Sequence, residues 1–157
     1  MRSVALALLC ALSSLFFVAS APAAQAAGPR LDRGERGIVR AINRVRSHYG
    51  LHRLHAGGKL ARAADAHSRS MLAADYFAHG SFASRVRRYA SFKRVGETLA
   101  WNSRCSARRF VGMWLNSPGH RAVLLSRGFR RVGIGRRVGR LGVRRACVVT
   151  ADFASRR

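Results

Sequence analysis

Apolar residues recur along this chain in two periods, and the period changes near its middle. From Gly34 to Tyr49, residues Ile38, Ile42, Val45 and Tyr49 fall at i, i+4, i+7 and i+11. That is one stripe of a helix, with Arg36, Arg40 and Arg44 off it. Gly50 can supply its C-cap. Gly57-Gly58 breaks the chain, and Leu60, Ala64, His67 and Met71 then repeat the helical spacing to about Ala74. This second helix is rich in Ala and able to pack closely. Tyr76 to Phe82 is aromatic and turn-like, with His79-Gly80 at its centre, and a short helix is expected from about Ser84 to Tyr89. Arg94 to Trp101 reads as extended.

Ser106 can cap a helix whose buried face is Phe110, Val111, Trp114 and Leu115. Asn116-Ser117-Pro118 ends it. Ser117-Pro118 also fits an N-cap followed by proline at the first helical position, which predicts a further short helix to about Ser126. His120 lies in its first turn. Val132 and Ile134 alternate with Gly133 and Gly135, a strand pattern. Arg136 to Gly142 reads as a basic turn, and Val143 to Phe153 as a β-branched strand carrying Cys147. No internal repeat is visible. Helices come first, then strands with helices between them, which predicts an α+β domain.

The N-terminus stands apart. Arg2 precedes an apolar run from Val4 to Val18, and Ala24-Gln25-Ala26 fits the small-x-small cleavage rule. Residues 1–26 therefore read as a secretory signal peptide, the alternative being a retained anchor. The run is short for a membrane span of about 20 residues. Leu9 before Cys10 argues against lipidation. Residues 27–33 read as a linker, 34–154 as one domain and 155–157 as a basic tail. No segment of the mature chain can cross a bilayer as a helix, so an extracellular or periplasmic product is expected.

Charge changes the picture further. The 157 residues hold 30 Lys and Arg against 6 Asp and Glu, a formal net charge of +24. All the basic residues but Lys59 and Lys93 are Arg. Loss of Arg2 with the signal peptide leaves +23. A field of this size draws polyanions or anionic lipid surfaces, unless it is simply a solvated basic surface. Arg136, Arg137, Arg140, Arg144 and Arg145 bracket the predicted C-terminal hairpin and are the candidate anion-binding group. Arg85, Arg87 and Arg88 form another basic cluster, as do Arg104, Arg108 and Arg109. Nothing resembles a sequence-reading nucleic-acid motif, and export argues against a genomic role.

Cys105 and Cys147 remain after cleavage. In an exported chain they suggest one disulfide closing a long loop, with two buried thiols as the alternative. Neither lies in a C-x-x-C pair. His79, Glu97 and His120 are the candidate chemical residues, each near a glycine at a junction of predicted elements. Two imidazoles and a carboxylate form a possible Zn²⁺ ligand set with an open fourth position. No H-E-x-x-H motif, nucleophile elbow or phosphate loop is present. His67 lies on the apolar stripe of the second helix and reads as a hydrogen-bonded core histidine. His48, His52 and His55 read as solvated surface groups.

Several blocks then resemble the CAP superfamily of cysteine-rich secretory, antigen 5 and pathogenesis-related proteins. Ile42-Asn43-Arg44-Val45-Arg46 resembles its first helix, and Ala64, His67-Ser68 and Met71 its second. Tyr76-Phe77-Ala78-His79 is similar to the first histidine segment. Gly96-Glu97-Thr98-Leu99-Ala100-Trp101 resembles the G-E-N-L-A block. Trp114 to Arg121 resembles the W-x-N-S-P-G-H-R block of bacterial members, and Val132-Gly133-Ile134-Gly135 the strand that follows. The resemblance spans about 34 to 154.

It implies a three-layer α-β-α sandwich with a central antiparallel sheet and a cavity lined by two histidines and two acids. His79, Glu97 and His120 match three members of that tetrad. Asn116-Ser117 stands where animal and plant members carry the second glutamate. The resemblance also implies binding of lipid, sterol-like or glycan ligands, with Zn²⁺ in some relatives. The expectation is a monomeric secreted binding protein for an anionic surface or a small apolar ligand, needing no cofactor. The alternative is a metal-assisted hydrolase with Glu97 as general base.

Overall fold

A computed structural model describes residues 31–155. The signal-peptide reading lies outside them, as does all but the end of the linker. The chain forms helices α1 (Arg33–His48), α2 (Gly58–Ala73), α3 (Phe82–Arg87), α4 (Ala107–Asn116) and α5 (Pro118–Leu124). Its strands are β1 (His55–Ala56), β2 (Val95–Asn102), β3 (Arg131–Leu141) and β4 (Arg144–Ala154). Asp32 and Arg33, read from sequence as linker, cap and open α1. The Asp32 carboxylate accepts from Glu35 N at 2.7 Å while Glu35 accepts from Asp32 N at 2.8 Å. This reciprocal capping box satisfies two donors that a helix start otherwise leaves open.

The sheet order is β1-β3-β4-β2. The three long strands are antiparallel, and β1 adds a two-residue parallel edge on β3. The three long strands form the central antiparallel sheet that the resemblance implies, and the short parallel edge makes the whole sheet mixed. Two residues carry too little pattern for sequence to reveal such a strand. A second difference concerns Arg136 to Leu141, read as a turn. These residues continue β3, paired through Leu141 with Arg144, and only Gly142 and Val143 turn. Gly142 has φ +56°, as the first position of a two-residue hairpin turn requires. Arginine at five of the ten positions from 136 to 145 hides the strand alternation. Long arginine stems lie along a sheet as readily as they extend into water.

One sheet face carries Thr98, Ala100, Cys147, Val149, Ala151 and Phe153, with Val132 and Ile134 from β3. It packs on Ile38 and Ile42 of α1, on Phe110, Val111 and Trp114 of α4, and on Leu124 of α5. Trp114 Nε1 donates to Leu99 O at 2.9 Å, which ties α4 to the back of β2. Cys105 and Cys147 form a disulfide between the start of α4 and β4, across 42 positions. A closed loop of this length stabilises by roughly 2–4 kcal/mol.

The other face carries Glu97, Leu99, Thr150 and Asp152, and it is paved on β3 by Gly133 and Gly135. A methyl group at Gly133 would overlap backbone atoms of Leu60 and Ala61; one at Gly135 would overlap those of Ala64 and Asp65. Helix α2 therefore lies on β3 backbone against backbone. Ser68, wholly buried, donates to Gly135 O at 2.9 Å and meets Thr150 Oγ1 at 2.9 Å. The result is the three-layer α-β-α sandwich implied by the resemblance, with α2 and α3 on one side and α1, α4 and α5 on the other.

Gly135→Ala should destabilise the protein by about 3 kcal/mol, because the helix must leave the sheet to admit the methyl group. Urea unfolding measures it, and a loss below about 1 kcal/mol would show that α2 yields freely.

Candidate functional site

The two candidate histidines arrive from different layers. His79 sits in the turn between α2 and α3, where Gly80 has φ +55°, and His120 lies in the first turn of α5. They meet beside β2, an end strand of the sheet. His79 Nε2 and His120 Nε2 are 3.2 Å apart. On the other side of its ring, His79 Nδ1 lies 2.7 Å from Glu97 Oε1. The structure thus brings all three candidates into one chain of contacts.

The proton placement follows from chemistry. An ionised Glu97 only accepts, so His79 Nδ1 donates to it. That leaves the His79 Nε2 lone pair to accept from His120 Nε2–H. Burial lowers the pKa of both imidazoles, and the charge of Arg85 adds to this for His79. Both rings are therefore neutral at pH 7, as this arrangement requires.

His67 holds the segment in place. It is buried and bonds Ala78 O through Nε2 at 3.0 Å. A carbonyl only accepts, so Nε2 is the donor. Burial pushes the His67 pKa down to about 4. It is the hydrogen-bonded core histidine that its position on the apolar stripe predicts.

Sequence reasoning misses two residues of this site. Composition groups Arg85 with Arg87 and Arg88 as surface charge. Instead α3 turns it inward, 8% exposed, where Nη2 pairs with Glu97 Oε2 and Nη1 donates to His79 O at 3.3 Å. The other is Asp152, wholly buried and directly opposite Glu97 in the β2–β4 register. Asp152 thus places a second acid beside Glu97, behind the cleft and not in its lining. The period-2 alternation of Val148, Thr150 and Asp152 on one strand face is the available signal.

Asp152 lies 3.9 Å from Arg85 Nη2. As a carboxylate, neither of its oxygens has a hydrogen-bond partner. Two buried carboxylates side by side repel, and one arginine offsets only one of them. A proton on Asp152 removes the repulsion and converts the contact with Glu97 into an O–H···O bond. Burial first, and then the Glu97 charge, hold Asp152 well above the ordinary aspartate range. Burial likewise raises Glu97 to about 7 against the opposing effect of Arg85. The pair therefore holds a shared proton into a pH range where ordinary carboxyls are ionised.

The site opens into a cleft of about 860 Å³ whose lining includes Phe82, Gly96, Ser117 and Phe129 besides the three candidates. Gly96 admits the Phe129 ring, which a side chain there would meet. No hydroxyl or thiol is hydrogen-bonded to either imidazole among the described residues.

The Zn²⁺ set expected from sequence can be tested on this geometry. Among the described residues no three His, Cys, Asp or Glu side chains are grouped to hold a metal. The two Nε2 atoms could face one cation, but Glu97 is on the opposite side of the His79 ring and orients it. Two nitrogens fall short of the three protein ligands of a catalytic zinc. As placed, these residues do not fit a zinc site.

The hairpin arginines divide. Arg136 Nη2 pairs with Asp32 at 2.8 Å, and Arg137 holds Asp65 through two bonds of 2.5 and 2.7 Å. Both tie helices to the sheet. Arg140, Arg144 and Arg145 are exposed at the turn, with Arg140 donating to Val143 O at 2.7 Å.

Comparison with known proteins agrees with this architecture. The sequence model of the cysteine-rich secretory protein family (CAP) matches residues 39–151. The chain belongs to this family. It is 33% identical over 107 residues to the uncharacterized membrane protein YlbC of Bacillus subtilis (strain 168), covering 64% of this chain and 31% of that protein. YkwD of the same organism is 31% identical over 107 residues, covering 64% of this chain and 41% of the relative. The matched region thus spans about a third to two fifths of these relatives.

Among solved structures, an extracellular SCP-domain protein of Bacillus anthracis str. Ames superposes with a TM-score of 0.67 at 28% identity. That match covers 78% of this chain and 40% of the other. An outer surface protein of Borrelia burgdorferi gives 0.68 at 22% identity, covering 83% of this chain and all of that one, a likeness of fold.

The shared proton has a measurable consequence. Above about pH 5 unfolded carboxylates are largely ionised. The folded pair, raised by burial, holds protons there, so the folded state binds more protons and the pair's contribution to stability is lost as pH rises through that range toward about 7. The slope approaches about 1.4 kcal/mol per pH unit for one retained proton. Asp152→Asn keeps a donor for Glu97 without the second acid and should flatten that slope in urea unfolding between about pH 5 and 7. An unchanged slope would exclude the shared proton.

Proposed function

We propose that this protein works outside the cytoplasm as a binding protein for an anionic amphiphile, held at anionic surfaces by its arginine shell and requiring no cofactor. The observation that carries this reading is the groove between α1 and α4. It has a volume of about 480 Å³ and is lined by Ala41, Val45, Val111 and Leu115. Gly112, Arg44 and Arg108 complete the lining, both arginines exposed, with no acidic residue in it. Apolar walls suit an acyl or alkyl body, and two guanidinium groups at the edge suit a carboxylate or phosphate head. Extracellular or outer-surface relatives of the same fold support the location, and no described helix is long and apolar enough to cross a membrane.

A long-chain fatty acid should bind the full chain in a fluorescence displacement assay, and an alkyl trimethylammonium of equal length should not. Leu115→Glu should weaken the fatty acid at least tenfold, by placing a charge in the apolar wall and repelling the head. Equal binding of the cationic amphiphile would defeat the reading.

The surface part of the proposal is tested separately. Replacing Arg140, Arg144 and Arg145 with Glu should lower the salt at which the protein leaves a heparin column, because fewer counterions are released on binding. Arg136 and Arg137 are left alone, since their loss would break helix-to-sheet contacts. Unchanged elution would remove the hairpin tip as a contact surface.

A further inference from the structure

All six acidic residues of the chain lie within the described part, and each is engaged internally. Asp32 and Glu35 cap α1 and face Arg136; Asp65 holds Arg69 and Arg137. Asp75 accepts from Gly142 N, and Glu97 and Asp152 lie with Arg85 beside His79. None is left for the face formed by residues 52–55 and 126–130.

Yet beside that face the protein buries an arginine. Arg46 is 0% exposed. Its Nε donates to His52 O at 3.0 Å, and its Nη1 to Leu124 O at 2.7 Å and Ser126 O at 3.0 Å. Its Nη2 is buried without a partner. It has no carboxylate within ion-pair distance among the described residues, and Arg130 lies close enough for its charge, after burial itself, to lower the Arg46 pKa. A buried cation with an open donor and a second cation near it is unfavourable unless an anion joins them.

The adjoining hollow has a volume of about 630 Å³ and is lined by His52, Arg53, His55, Gly128 and Arg130. It is walled by the two segments whose carbonyls Arg46 holds. We propose that this hollow is a phosphate-binding site, with Arg53 and Arg130 as the contacting cations, His52 and His55 as additional donors, and Arg46 as the buried charge behind them. Two guanidinium forks and two imidazoles offer more donors than the two oxygens of a carboxylate can accept, whereas a phosphate monoester presents three charged oxygens. The site goes beyond the α1–α4 groove and does not rest on it.

Arg53 also lines a second hollow of about 440 Å³ with Arg40, Arg44 and Ser47, and Arg44 belongs to the groove as well. A run of cations thus joins the phosphate site to the apolar groove. The phosphate could arrive on a soluble molecule or as a lipid headgroup, and the test separates the two.

The full chain is titrated with inorganic phosphate at constant ionic strength, balanced with chloride, and histidine ring signals are followed by NMR. Saturable shifts of His52 and His55 are expected at millimolar phosphate or below, without comparable shifts of His79 and His120. Arg53 is exposed and makes no hydrogen bond or ion pair among the described residues, so Arg53→Ala should fold normally. It should weaken phosphate at least tenfold, in keeping with loss of a charge-assisted bond. Vesicles of phosphatidylcholine containing phosphatidic acid displace the phosphate if the group is a lipid headgroup. Displacement by glycerol 3-phosphate and not by these vesicles supports a soluble monoester. No saturation by about 10 mM, or an Arg53→Ala titration identical to that of the parent chain, overturns the site.

Discussion

The contact of α2 with β3, backbone against backbone, is the constraint on which the rest depends. Gly133 and Gly135 remove the side chains that would hold the helix away. Only at this distance can Ser68 reach Gly135 O and Thr150, and only then does His67 stand beside Glu97, 3.9 Å from its Oε2. His67 in turn bonds Ala78 O and so fixes the residue before His79. The candidate site is therefore an outcome of helix–sheet packing more than of the loop that carries it. This explains why a strand rich in glycine, ordinarily a weak strand, sits at the centre of the fold.

A second constraint is arithmetic. Six carboxylates must serve a chain with thirty basic side chains. They are placed where they hold structure: capping α1, fastening Arg136 and Arg137, securing the hairpin turn through Asp75, and balancing buried Arg85. Asp65 also pairs with Arg69, and most of the other described arginines are left to water, a backbone carbonyl or an external anion. Arg46 takes the carbonyl route and leaves one donor open. The proposed function takes up this imbalance: where exposed arginines have no acid beside them, an anionic partner would complete the surface. The neutral histidine pair and the shared carboxyl proton leave the cleft at β2 with little net charge, apart from that field.

Motif residues and site residues also separate on inspection. Of the first-helix block, Asn43 exchanges two hydrogen bonds with Leu54, 3.0 Å and 2.7 Å, and Arg46 gathers three carbonyls. Trp114 of the later block anchors α4 to Leu99. These side chains hold irregular backbone where no ladder can. Within the blocks, the ionisable side chains that converge on the cleft are His79, Glu97 and His120.

The five helices of the described residues, β2, β4 and the first half of β3 are legible in the amino-acid pattern alone, because 3.6- and 2-residue periodicities report burial locally. So are the pairing candidates Cys105 and Cys147 and the three residues His79, Glu97 and His120, through short blocks with fixed spacing. Which charges are buried is settled only by the folded arrangement. Arg85 and Arg88 are neighbours of like composition, and α3 turns one into the core and leaves the other outside. Asp152 becomes the second acid only because the β2–β4 register sets it against Glu97. Arg136 and Arg137 become fasteners because Asp32 and Asp65, about a hundred and about seventy residues earlier, are brought beside them. Electrostatic roles depend on distance in space and on exclusion of water, and neither is encoded in the local pattern from which secondary structure is read.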